Sequence, residues 1–181
     1  STDHQYLFPN GSRLEDSIQA AADVGIRFTA TRGSMSIGES KGGLPPDQLC
    51  EAEDSILKDC LRVIDAHHDA SDHAMIQIAL APCSPFSVST GLMADTAAMA
   101  ADKGVGLHTH LAENSEDIDY SLAQFGQRPG DYAEALGWTG EHVWHAHCVQ
   151  LNDDEIDLFA RTQTGVAPVS YTHLTLPTIV S

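Results

Sequence analysis

Apolar and polar positions alternate over 105–113, where the chain reads Val-Gly-Leu-His-Thr-His-Leu-Ala-Glu after Gly104. Alternation of this kind predicts a strand with His108, His110 and Ala112 on one face. The pattern returns over 143–148 as Val-Trp-His-Ala-His-Cys, a second short strand with His145 and His147 expected on one face. Elsewhere the period lengthens to that of a helix. Leu14, Ile18, Ala21 and Ala22 predict a helix over 13–24 that Gly25 ends. A strand follows over 26–30, then a loop over 31–46 rich in Gly and Pro. Asp47 is the expected N-cap of a helix whose apolar face holds Leu49, Ala52, Ile56, Leu57, Cys60, Leu61 and Ile64. A strand over 75–81 runs into Pro82 and Pro85, which force a turn at its end. Ser89 or Thr90 caps a helix to Lys103. Asn114 or Ser115 caps another, Pro129 opens a short one, and Asn152 caps the last, before a final strand begins at 164–167. Residues 1–10 read as a loop leaving a strand. Strands and helices alternate with connections suited to parallel pairing, an α/β arrangement that fits part of a (β/α)8 barrel. A whole barrel needs about 250 residues, and the chain has 181.

Composition narrows the partners. The chain is globular in character, 42% hydrophobic and 19% charged, with 26 Asp and Glu against 9 Lys and Arg. A formal charge of −17 argues against a nucleic-acid backbone as partner. No apolar run of about 18 residues could cross a bilayer, and no secretory leader is evident, so a cytoplasmic protein is expected. The four cysteines, Cys50, Cys60, Cys83 and Cys148, show no C-x-x-C spacing that would suggest a zinc knuckle or a redox pair.

The candidate chemistry lies at strand ends, where parallel α/β folds collect it. Imidazoles are favoured zinc ligands, and a carboxylate such as Glu113 that is not a ligand can shuttle protons. Either H-x-H pair alone reads equally well as structural or surface histidines; two pairs at successive strand ends favour chemistry. Arg32, at a strand end, either holds an anionic or carbonyl group of a ligand or pairs with one of the many carboxylates. Cys83 is expected to face whatever lies above the sheet. Asp3 and His4 sit where a ligand-facing role competes with an exposed or capping one. His67, His68 and His73 read as a solvated turn.

Several blocks resemble the amidohydrolase superfamily, in its ATZ/TRZ and nucleobase-deaminase branch: His-x-His-Leu-Ala-Glu at 108–113 and Ala-His-Cys-Val at 146–149. The blocks Ala-Thr-Arg-Gly-Ser-Met-Ser at 30–36, Gly-Gly-Leu-Pro-Pro at 42–46, Leu-Ala-Pro-Cys-Ser-Pro-Phe-Ser-Val at 80–88 and 162–167 resemble those of bacterial 8-oxoguanine deaminases, some relatives of which are labelled hydroxydechloroatrazine ethylaminohydrolases. The resemblance implies a partial (β/α)8 TIM-type barrel over 1–167, from the end of strand 2 to the start of strand 7. It also implies one divalent metal, zinc or in some relatives iron, with His110 as a ligand. Glu113 would protonate a ring nitrogen as hydroxide attacks the amino-bearing carbon, and His147 would hydrogen-bond the attacking or attacked group. His108 and His145 would pack or support, and Cys83 would meet the substrate where guanine deaminases place an arginine. The implied reaction is hydrolytic deamination of an oxidised purine, 8-oxoguanine to urate and ammonia. Removal of an alkylamine from a hydroxy-triazine is the alternative, and a non-catalytic α/β piece without metal is the reading from another class. A small heterocyclic substrate, no nucleic-acid polymer, no membrane and a full-length homo-oligomer complete the expectation. The family's first-strand histidine pair and eighth-strand Asp have no counterpart in this sequence. Residues 168–181 resemble translated cloning or adapter DNA and are expected to be a non-native tail.

Overall fold

The computed structural model describes residues 1–43 and 45–168; the expected tail falls outside them except for Pro168. Five parallel strands lie in sequence order: β1 (Phe28–Ser34), β2 (Ile76–Pro82), β3 (Gly106–Leu111), β4 (Val143–His147) and β5 (Gly165–Ala167). Helices α1 (Leu14–Val24), α2 (Glu53–His67), α3 (Thr90–Lys103), α4 (Ser115–Phe125), α5 (Pro129–Ala135) and α6 (Asp153–Thr162) precede β1 and fill the connections. This is the α/β layout expected of part of a TIM-type barrel.

The helices start and stop where local chemistry satisfies their ends. Ser89, Asn114 and Asn152 each accept a backbone N–H of the first turn of α3, α4 and α6. Gly25, Gly104 and Gly126 close α1, α3 and α4 in the left-handed conformation. Asp47 departs from its expected role. It opens a single turn of 3-10 helix (Asp47–Leu49) and spends its carboxylate on the Ser40 N–H and hydroxyl, while α2 begins at Glu53 after Ala52.

β1 runs four residues beyond its expected end. Thr31, Arg32, Gly33 and Ser34 pair with Ala79, Leu80, Ala81 and Pro82, and all four are buried. Burial on both faces removes the alternation that would mark a strand.

In parallel strands, paired residues point to the same face. Leu80, Leu107, Leu111 and Val143 turn toward the helices and join Ile56, Val63, Leu92, Met93, Leu158 and Phe159 in the core. Trp138 is fully buried there, with its indole N–H donating to the Met93 carbonyl at 2.9 Å. Burying side chains of this kind contributes about 1.5–3 kcal/mol each. The opposite face carries His108, His110 and Trp144.

Residues 1–5 lie alongside β1, as a stretch leaving a strand should. Thr29 N–H donates to the Ser1 carbonyl and Gly33 N–H to the Gln5 carbonyl, both at 2.9 Å. Asp3 Oδ1 accepts both the N–H and the hydroxyl of Thr31. Among the described residues no helix is long and apolar enough to cross a membrane.

Candidate active site

The histidines of β3 both face away from the helices. His110 Nδ1 lies 2.7 Å from the Cys83 carbonyl, which also takes the His110 backbone N–H at 3.1 Å. A carbonyl can only accept, so Nδ1 carries the proton and Nε2 keeps its lone pair, the state a metal ligand needs. His108 is held likewise, its Nδ1 donating to the Trp144 carbonyl at 2.8 Å and its ring stacked on the Trp144 indole.

β4 departs from expectation, because His145 and His147 do not share a face. In the β3–β4 register His108 lies beside Trp144, Thr109 beside His145 and Leu111 beside His147. His145 therefore turns to the helix layer, where it is fully buried against Trp138 and Phe159 and donates Nε2–H to the Trp138 carbonyl at 2.9 Å. Continued alternation would send His147 outward too. Its φ of +70°, followed by +58° at Cys148, breaks the alternation and swings the ring to stack on His110 at 5.2 Å between centroids. Left-handed backbone at two successive non-glycine residues is strained, and such strain gathers at functional sites. Ala112, at φ +50°, makes the matching turn after β3, so it joins the core instead of sharing the face of His108 and His110.

These turns are tied together. Cys148 N–H donates to the Leu111 carbonyl and Gln150 N–H to the Ala112 carbonyl, each at 2.9 Å. Buried Glu155 holds the far side, pairing with Arg128 at 2.8 Å and accepting the Gly130 and Asn152 N–H groups, while Arg128 also reaches the Gln150 carbonyl. Glu113 is fixed through its own N–H, which donates to Asp117 Oδ2 at 2.7 Å. Its carboxylate is half exposed and places Oε2 3.6 Å from His147 Nε2.

Burial favours the neutral forms of His4, His108, His110 and Cys83. Burial, helped by the nearby His108 and His110, pushes His4 down to about 3. Burial likewise brings His108 to about 4, against the opposing pull of the Trp144 carbonyl, and lowers His110. Cys83 is pushed up to about 11, by burial first and also by the charge of Glu113, while hydrogen bonds from Ser87 and Tyr6 oppose the shift. It is thus a neutral thiol at pH 7, able to contact a ligand but poorly suited to attack one.

Arg32 turns the other way. Its neighbour in β2 is Leu80, on the helix-facing side, and its buried guanidinium binds Glu51 at 2.8 Å and Asp59 at 2.6 Å beneath the Phe8 ring. Pairing with carboxylates, the other reading the sequence left open, is what the geometry displays. His4, for which the sequence left a ligand-facing role open, joins the site through its ring contact with His110, and so do two residues the sequence did not single out: Tyr6, whose ring also meets His110, and Asp117, which holds Glu113. Among the described residues no three His, Cys, Asp or Glu side chains converge to hold a metal ion. The donor set fits a metal at one corner only, through His110.

The Amidohydrolase family matches residues 3–179. The chain is 45% identical over 168 residues to the 8-oxoguanine deaminase of Pseudomonas aeruginosa, covering 92% of the chain and 37% of the relative. It is 36% identical to the hydroxydechloroatrazine ethylaminohydrolase of Pseudomonas sp. (strain ADP), covering 91% of the chain and 34% of that protein. Among solved structures, an atrazine chlorohydrolase from Arthrobacter aurescens complexed with zinc superposes with a TM-score of 0.85 at 37% identity, over 91% of this chain and 37% of that one. The chain thus spans about a third of the length of the curated relatives it matches. Parallel strands, chemistry gathered at their C-terminal ends and these likenesses lead to one conclusion: the chain belongs to the amidohydrolase family.

Proposed function

We propose that this chain carries the proton-transfer half of a metal-dependent aminohydrolase site, acting within a longer barrel that completes the metal shell. The observation that carries the reading is the trio at the ends of β3 and β4. His110 keeps Nε2 free for a metal, and Glu113 lies 3.6 Å from His147 beside it. His110 would hold one corner of a divalent metal, zinc by the likeness to the zinc-complexed chlorohydrolase or else iron, which would supply hydroxide near neutral pH. Glu113, half exposed and anchored by Asp117, takes the proton released as water becomes the attacking hydroxide and passes it to a ring nitrogen of the substrate; it then carries the proton of the newly formed hydroxyl to the amine as the C–N bond breaks. His147 orients the reacting group through Nε2. The neutral thiol of Cys83, on the strand end beside His110, meets the edge of the heterocycle.

Similarity to 8-oxoguanine deaminase supports an oxidised purine as substrate, with urate and ammonia as products. The likeness to the ethylaminohydrolase favours a second reading, release of an alkylamine from a hydroxy-triazine. Incubating the full-length protein with each substrate and identifying the amine released separates the two. Glu113→Gln in that protein should cut amine release by about 10²–10⁴-fold while the metal stays bound. An active variant would overturn the role given to Glu113, and a wild-type protein that binds no metal would return the chain to the non-catalytic reading.

A further inference from the structure

His4 is a half-buried imidazole that the proposed chemistry leaves without a task, and its neighbours on both sides are pinned. Asp3 before it is clamped to Thr31, and Gln5 after it accepts the Gly33 N–H. Gly33 leaves the backbone bare where the segment crosses: a Cβ there would lie 2.5 Å from the Gln5 carbonyl oxygen and 2.7 Å from Tyr6 Cβ. With both neighbours pinned, the His4 ring comes to rest on His110, with centroids 4.3 Å apart and planes 19° from parallel. His147 also stacks on His110, again at 19°. His110 thus belongs to a stack of three imidazoles. The two rings hang from one strand end, His4 Nε2 donating to the Ala81 carbonyl at 3.0 Å and His110 Nδ1 to the Cys83 carbonyl two residues on.

One hydrogen bond fixes which nitrogen of His110 is free, but it leaves the ring able to rock about that bond. A flat neighbour stacked on the ring removes this freedom. We propose that His4 is a positioning residue that sets the plane of His110 and so aims its Nε2 at the divalent metal. The inference rests on the reading of His110 as a metal ligand. Partners that orient a metal-ligating histidine are typically worth about 10–100-fold in affinity.

The test is competitive zinc binding to the full-length protein carrying this segment, which is read independently of any deaminase assay. His4→Ala should weaken zinc binding about 10–100-fold, and His4→Phe, which restores a ring against His110, should recover most of that loss. Loss of the bond to Ala81 would not be rescued by a ring that cannot make it, and His4→Leu, which fills the space without a flat face, should recover little; full recovery with Leu would reduce the role to packing and overturn the proposal. Should the alanine variant not fold, His4→Gln, polar but without a ring, takes its place in the comparison. Zinc affinity within twofold of wild type in the ringless variant, or no recovery with Phe, would overturn the positioning role. His110→Ala separates the two levels. If it abolishes zinc binding while the ringless His4 variant binds normally, only the positioning role fails; if it too binds normally, both fall.

Discussion

β3 and β4 carry the same spacing, His-x-His, yet use it differently. In β3 the strand stays regular through both histidines, so His108 and His110 share a face; His108 donates Nδ1–H to the Trp144 carbonyl of β4 and His110 to the Cys83 carbonyl just past β2. In β4 the first histidine is packed into the helix layer, and only the second reaches the site, by way of a left-handed turn. Spacing reports a shared face only while the backbone remains extended. At a strand's C-terminal end, where this fold keeps its chemistry, the terminal turn decides where the side chain goes.

The largest expected effects separate the members of each pair. His110→Ala in the full-length protein should remove the metal and activity together, whereas His108→Asn should retain the metal; equal metal loss in both would mean that the β3 pair acts as one ligand set. Next comes β4. Asn tolerates left-handed backbone, so His147→Asn should fold normally yet lose about 10²-fold or more in turnover. His145→Asn should do the reverse, costing about 1–3 kcal/mol of stability with turnover per folded molecule nearly unchanged. A catalytic defect in the His145 variant would break the distinction between the two positions.

Much of this arrangement was legible in the sequence because strands and helices announce themselves by period. The order of strands and helices, the caps at Ser89, Asn114 and Asn152, and the gathering of His110, Glu113 and His147 followed from local pattern or from resemblance. What escaped depends on distant partners or on backbone torsion. The end of β1 looked like a loop because Arg32 and Gly33 are poor advertisements for a strand, yet both are explained by what they touch: Glu51 and Asp59 around the one, Gln5 and Tyr6 across the other. His4 sits in a stretch without periodicity, and its hydrogen-bond acceptor lies 77 residues away. The inward aim of His147 comes from a φ that no spacing rule contains.

A smaller effect concerns acid. Burial holds the folded-state value of His145 at about 4, against an ordinary 6.5, and that of His108 at about 4 as well. Between those limits the unfolded chain binds more protons than the folded one. Their contribution is therefore fully present above about pH 6.5 and is lost as pH falls toward 4, by up to about 1.4 kcal/mol per pH unit for each group. Denaturant titrations from pH 7 to 4.5 should follow that slope in the metal-free protein. His145→Phe, which removes one proton-binding group from the helix layer, should make it shallower, and an unchanged slope would show that other groups dominate acid unfolding.

The smallest effect probes the turns themselves. Ala112 holds φ +50° immediately before Glu113 and is completely buried. Glycine there relieves left-handed strain of about 1–2 kcal/mol. It also gives up a buried methyl worth about 0.8 kcal/mol and frees the unfolded chain by about 0.4–1 kcal/mol. The opposing terms nearly cancel, so Ala112→Gly should leave stability within about 1 kcal/mol of wild type, as read from the denaturation midpoint. Because Asp117 still grips the Glu113 N–H, turnover should fall by no more than a few-fold. A large catalytic loss at unchanged stability would show that the alanine, by restricting the turn, aims Glu113, and would make the β3 turn as decisive for the site as the one at His147.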